Sequence, residues 1–317
     1  MLRYTLIFFL LFCAFAQEAK AQFDAQFSQY WISKSYYNPA ATGLTKDINV
    51  AAQFRQQWVG VKNAPQSFVF NGEMPAFFLG KNHGVGLSLF NEGIGLYNNM
   101  SIGLQYSYGF SILGGKLRVG VQPAIISSKF DGTKVEIPNS GAHNPVDPSI
   151  PNAEVNGTAF DLSLGIFYEH EKFYAGFSYM HLISPTMQLG ETTETYIPGT
   201  LYATAAYTYL FPNSLLEITP SFLFKSDMVF SQFDFNVLLT YNEKVFGGIG
   251  YRIGDAFNLC FGLRFGKVKV GYSYDIGTSA IGRASKGSHE LFATYTYTLD
   301  LKSGFLLQGR KRSVRFM

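Results

Sequence analysis

Residues able to do chemistry are few and scattered. Five histidines, His83, His143, His170, His181 and His289, fall at spacings that build no metal site, and there is no H-E-x-x-H run or paired-cysteine motif. No G-x-S-x-G turn for a nucleophile and no phosphate-cradling P-loop is present. Ser288 stands beside His289 at the start of a strand-like stretch, the one arrangement that a lipid-facing lipase could use. Neighbours along a strand point to opposite faces, however, which argues against that pair. The expectation is a protein that is not an enzyme and uses neither cofactor nor metal. What remains is a dispersed set of charges of both signs: Arg55, Arg118, Asp161, Glu217, Asp234, Arg264, Lys267, Lys269, Asp275, Glu290 and Asp300. Such a mixture predicts an internally paired polar network more than a selectivity ring of one sign.

The elements that carry these charges show a two-residue period. Phe257, Leu259, Phe261, Leu263 and Phe265 alternate with Asn258, Cys260, Gly262, Arg264 and Gly266, and the pattern restarts as Val268, Val270, Tyr272 and Tyr274. This is a tight antiparallel hairpin with one apolar face. In a membrane barrel that face meets lipid, while Cys260, Arg264, Lys267, Lys269 and Asp275 face a wet lumen.

Composition favours the barrel. The chain is 47% hydrophobic and 17% aromatic but only 15% charged, where soluble domains carry about a quarter charged residues. The net charge of +3 is partly due to Arg310, Lys311, Arg312 and Arg315 near the C-terminus, so no nucleic-acid partner is expected. Residues 1–21 combine Arg3, an apolar run and Ala19-Lys20-Ala21, the pattern of a cleaved export signal. Cleavage there leaves Cys260 alone, which excludes an internal disulfide.

Alternation begins at Asp47 and recurs to Leu301, giving about fourteen strands. Counting from a periplasmic start, the even-numbered connections are brief, with Pro75 to Asn82 the longest, while the odd-numbered ones include 130–157, 182–199 and 276–287. Short periplasmic turns and long extracellular loops are the outer-membrane pattern. Tyr207 and Tyr209 fit an interfacial aromatic girdle, and Pro220 predicts a weak point in its strand. The expected organisation is an export signal (1–21), a periplasmic or plug segment (22–46), an all-β transmembrane antiparallel barrel (47–301) and a basic periplasmic tail (302–317). The proline-bearing loop 130–157 is long enough to act as a lid, plug or docking element.

Specific motifs cluster at the N-terminal side. Gln26-Phe27-Ser28-Gln29-Tyr30, then Tyr37-Asn38-Pro39-Ala40 and Gly43, then Arg55-Gln56-Gln57-Trp58 and Ala64-Pro65 resemble the PorP/SprF family of type IX secretion outer-membrane proteins of Bacteroidetes. The family's usual Thr after that proline is Gln66 here. The resemblance implies an outer-membrane location in a Gram-negative cell and a role in secreting and attaching cargo proteins at the surface, with gliding motility in some members. It also implies partners: outer-membrane lipid, cargo C-terminal domains, other components of the machine and peptidoglycan-associated periplasmic proteins. Gln29, Tyr30, Asn38, Pro39, Gly43, Arg55, Gln57, Trp58 and Pro65 are the corresponding candidates for partner contact. The rival expectation is a passive channel for small or hydrophobic solutes.

Overall fold

The computed structural model describes residues 24–78, 81–135, 151–190 and 193–298. The export signal, the apex of the 130–157 loop, Asp300 and the basic tail lie outside the described residues. Strands β1 (Asp47–Gln56), β2 (Gln66–Phe78), β3 (Lys81–Ile94), β4 (Tyr97–Ile112), β5 (Gly115–Asp131), β6 (Glu154–Glu169) and β7 (Phe173–Met180) follow one another around the wall. A small hairpin of β8 (Thr186–Leu189) and β9 (Thr193–Tyr196) interrupts them. The wall resumes with β10 (Thr200–Tyr207), continued by the short β11 (Tyr209–Leu210), and β12 (Leu216–Ser226), β13 (Ser231–Tyr241), β14 (Val245–Arg252), β15 (Ala256–Phe265), β16 (Val268–Gly277) and β17 (Ser288–Thr298). With β10 and β11 forming one interrupted strand, the wall has 14 antiparallel strands, and β17 pairs with β1 to close it. A closed ring leaves every wall strand with a partner on both sides, which a bilayer demands of a strand-built span.

The alternation read from the sequence becomes inside and outside. Along β15, Phe257, Leu259 and Phe261 are 52%, 50% and 62% exposed, while Cys260 between them is buried. On β17 Leu291 is 55% exposed and Phe292 only 4%. The outward residues are those that lipid covers. Tyr207 and Tyr209 are exposed near the even-numbered turns, as an interfacial pair should be.

Two connections differ from the sequence reading. β2 runs through Pro75 to Phe78, so the even-numbered turn after it is no longer than its companions. Past Glu73, β2 has no β1 neighbour, so a missing N–H there leaves no carbonyl of β1 unmet. On the opposite rim, β3 and β4 are joined by Gly95 and Leu96 alone, so the outer connections are not all long. At Pro220, β12 keeps its pairing with β13, whereas the ladder with β10 stops at Ala206–Ser221 and resumes at Tyr209–Ile218.

Candidate functional site

The interior is occupied by the chain's own N-terminal segment. Its residues lack a strand period because they pack on all sides. A short helix, Lys34–Tyr37, is followed by a 3-10 turn, Pro39–Ala41, where Asn38 Oδ1 accepts from Ala40 N at 2.9 Å and Pro39 supplies the fixed φ of a first helical position. Phe27, Tyr30, Tyr36 and Tyr37 are buried with Val69, Phe90, Tyr202 and Leu223 of the wall. The segment starts near the outer loops at Asp24 and descends to Asp47 at the periplasmic rim, where β1 begins.

Wall glycines make the bed for this descent. A Cβ at Gly120 would lie 2.3 Å from Ala40 N, one at Gly165 would lie 2.0 Å from Asn38 Oδ1, and one at Gly84 would lie 2.0 Å from Thr42 O. Gly43 itself has φ +68, a left-handed conformation in which a side chain is strained, and its added Cβ would stand 2.6 Å from Gly84 Cα. Asn38 also donates from Nδ2 to the carbonyls of Ile166 at 2.9 Å and Phe177 at 3.2 Å, using β6 and β7 as its seat.

In the outer half the segment is locked by buried charges. Arg55 pairs with Asp275 at 2.7 Å and Glu290 at 3.3 Å, and Arg252 pairs with Asp234 at 2.7 Å. Ser28 sits at the centre: its hydroxyl donates to Asp275 at 2.7 Å and accepts from Arg55 and Arg252, each at 3.1 Å. The backbone N–H groups of Ser28 and Gln29 both donate to the Glu290 carboxylate, at 2.8 Å and 3.0 Å. Beside this knot, Asp24 accepts from Tyr202 at 2.7 Å and meets His181 at 3.0 Å, with Asp161 on the other ring nitrogen at 2.9 Å. Burial alone would raise the Asp24 pKa, but His181, Lys225 and Tyr202 hold the carboxyl well below its usual range. Burial alone would lower the His181 pKa; the two carboxylates outweigh it and push it up to about 10. Above the knot, the β8–β9 hairpin folds inward, burying Met187 and Ile197 against Ile126.

The motif residues separate into two groups. Gln29, Tyr30, Asn38, Pro39, Gly43 and Arg55 are buried in the lumen against the chain's own wall, with Tyr30 O–H bonded to Ser221 at 2.8 Å. Gln57, Trp58 and Pro65 lie in the outer connection between β1 and β2, where Gln57 N donates to Pro65 O at 2.9 Å and Trp58 N to Ser288 Oγ at 3.1 Å. Ser288 is therefore engaged with backbone inside, while His289 meets Tyr272 O–H at 2.6 Å on the outward face. Two charges expected in the lumen stand at the periplasmic rim: Arg264, exposed and 3.5 Å from Glu243, and Lys267 in the turn, over the Tyr297 ring. Both sit where β15 and β16 leave the wall. Asp24, Ser28, His181, Lys225 and Arg252 were not singled out by the sequence. Arg252 and Lys225 had a readable signal, Arg252 sharing inward parity with Phe246, Gly248 and Gly250, and Lys225 with Leu223.

Toward the periplasm the plug leaves space. Cavities of about 340 and 240 Å³ share Trp31, Lys34, Glu169 and Lys269 as lining and make one vestibule at the inner mouth.

A closed antiparallel ring, apolar outside, polar inside and filled by its own N-terminal segment, defines a plugged outer-membrane β-barrel. Its fold is similar to that of the CymD monoaromatic hydrocarbon channel, with TM-score 0.51 at 11% identity over 84% of this chain and 93% of that one. It is likewise similar to the Pseudomonas putida toluene transporter TodX, with TM-score 0.50 at 9% identity over 84% and 93%. At these identities the likeness is one of fold. No curated protein sequence matches. The family model for the type IX secretion system membrane protein PorP/SprF matches residues 19–295, and the chain belongs to that family. Its place is the outer membrane, and membership implies interaction with other secretion components.

Proposed function

We propose that the protein is a docking and anchoring module of the type IX machinery, without catalysis of its own, which holds secreted cargo or machine partners at the cell surface. The filled lumen is the observation that supports this most. A passive solute channel needs a continuous wet path, and here the outer half is occupied by residues 24–30 tied to buried ion pairs. With Gln29, Tyr30, Asn38, Pro39, Gly43 and Arg55 enclosed, contact with cargo falls to the outer connections, among them the 57–65 loop. That loop is braced against the 278–287 loop, with Val59 N donating to Gly287 O and Lys286 N to Val59 O, each at 2.8 Å. Separation of Ser288 from His289 across the wall goes against a lipase.

Planar-bilayer recording of the pure protein separates the main readings: near-zero steady current is expected, and a large sustained current would favour the channel. Trp58→Ala is expected to leave a heat-modifiable barrel and to reduce display of a cognate surface protein. Unchanged display would remove the role given to this loop.

A further inference from the structure

The inner vestibule contains polar groups that the fold does not use. Trp31 Nε1, Ser33 Oγ, Glu73 Oε2 and both amide atoms of Asn71 are buried without a hydrogen-bond partner among the described residues, and Asn71 is only 2% exposed. All four residues line the cavity at the inner mouth. A buried polar group left unpaired costs about 1–3 kcal/mol, so several on one wall call for a partner that the chain does not supply.

The charges point the same way. Lys34 Nζ lies 4.1 Å from the centre of the Tyr174 ring and Lys269 Nζ 4.3 Å from that of Phe246, and neither ammonium forms an ion pair among the described residues. Arg264 at the rim is paired with Glu243, which leaves Lys34 and Lys269 facing the acids Glu73 and Glu169 in the cavity. Two ammoniums, an indole N–H and a carboxamide NH₂ remain as donors without an acceptor among the described residues. Burial lowers the Lys34 pKa against the pull of Glu169 and Glu73, so an anion beside it would favour the protonated amine. Thr294 offers a hydroxyl on the facing strand, whereas Thr296 already donates to Asn49 Oδ1 at 3.0 Å.

We propose that this vestibule is a binding site for an oxyanion, a carboxylate or phosphate carried on a ligand entering from the periplasm and held by Lys34, Lys269, Trp31 and Asn71. A space of this size suits a small molecule or a chain end. The site stands apart from the anchoring role, which concerns the opposite rim.

The test uses the detergent-purified full-length protein carrying Trp58→Phe, so that Trp31 is the sole tryptophan. Disodium glutarate and inorganic phosphate are titrated against its fluorescence, with sodium chloride at matched ionic strength as control. A saturable change with glutarate or phosphate, absent with chloride, is expected, and the ion that saturates identifies the carboxylate or phosphate source. Lys269→Gln and Asn71→Leu, each first shown to form a heat-modifiable barrel, should weaken that binding about tenfold or more, the scale of a lost hydrogen bond to a charged group. An equal response to chloride, no saturation, or unchanged affinity in both variants would overturn the site. Surface display would be unaffected by that failure.

Discussion

The two halves of the lumen solve the same problem in opposite ways. In the outer half, Arg55, Arg252, Asp234, Asp275 and Glu290 are all removed from water, and they form ion pairs with one another and hydrogen bonds to Gln26, Ser28 or Gln29 of the plug. In the inner half, Trp31, Ser33, Asn71 and Glu73 keep unpaired atoms, and two lysines rest on aromatic rings. Buried charges are tolerable only when paired, so the outer half has one arrangement available and is rigid. Unpaired atoms remain in the outer half as well, at Gln29, Gln53 and Asn236, but the plug encloses them, whereas those of the inner half line a cavity that opens toward the periplasm.

The sharpest way to break this contrast is Arg55→Ala. It leaves Glu290 without a cation and Asp275 with Arg252 at 3.4 Å, and removing one partner of a buried pair costs about 3–5 kcal/mol. A large fall in the urea midpoint in detergent is expected, with current bursts in bilayers as the plug loosens. An unshifted midpoint would mean that the outer half is not locked. Gly165→Ala comes next, since its methyl would invade the place of Asn38 Oδ1. Overpacking of about 1–3 kcal/mol is expected, read as faster hydrogen exchange in residues 34–43.

A pH scan sharpens the same contrast. The His181 pKa is raised from 6.5 to about 10, so its contribution is full below pH 6.5 and lost as pH rises through about 10. Asp24 is shifted the other way, so its contribution is present above pH 3.8 and lost as pH falls toward its lower folded value. Proteolysis of the plug should therefore be slowest between these limits and accelerate on the alkaline side, and His181→Gln should abolish the alkaline step. The smallest net effect is expected inside: Asn71→Ala removes an amide with no partner, so the cost of about 1–3 kcal/mol that it relieves offsets the packing it loses, and the same urea titration should show the midpoint held or slightly raised.

Strand positions and facing were legible because alternation is a local property. The residues of β15 and β17 declare which way they point without knowledge of their neighbours. What the plug does was not legible. Ser28 is an unremarkable serine in sequence, and its partners Asp275 and Glu290 come within reach only once the ring has closed. His181 acquires its role from Asp24, far away in the chain; alternation placed Arg55 in the lumen, but the motif did not tell that it meets the plug there while Trp58 belongs to the outer rim. The glycines at 84, 120 and 165 read as weak strand positions until the segment 38–43 is laid against them.

Arg55 and Glu290 stand opposite each other in the register between β1 and β17, the joint where the first and last wall strands meet. That joint is thus keyed from within, since Ser28 and Gln29 of the plug donate to the same Glu290 carboxylate that Arg55 meets across it. A slip of one residue by either strand would turn its own charge toward hydrocarbon and leave the other buried without a partner, so a misaligned closure is self-rejecting.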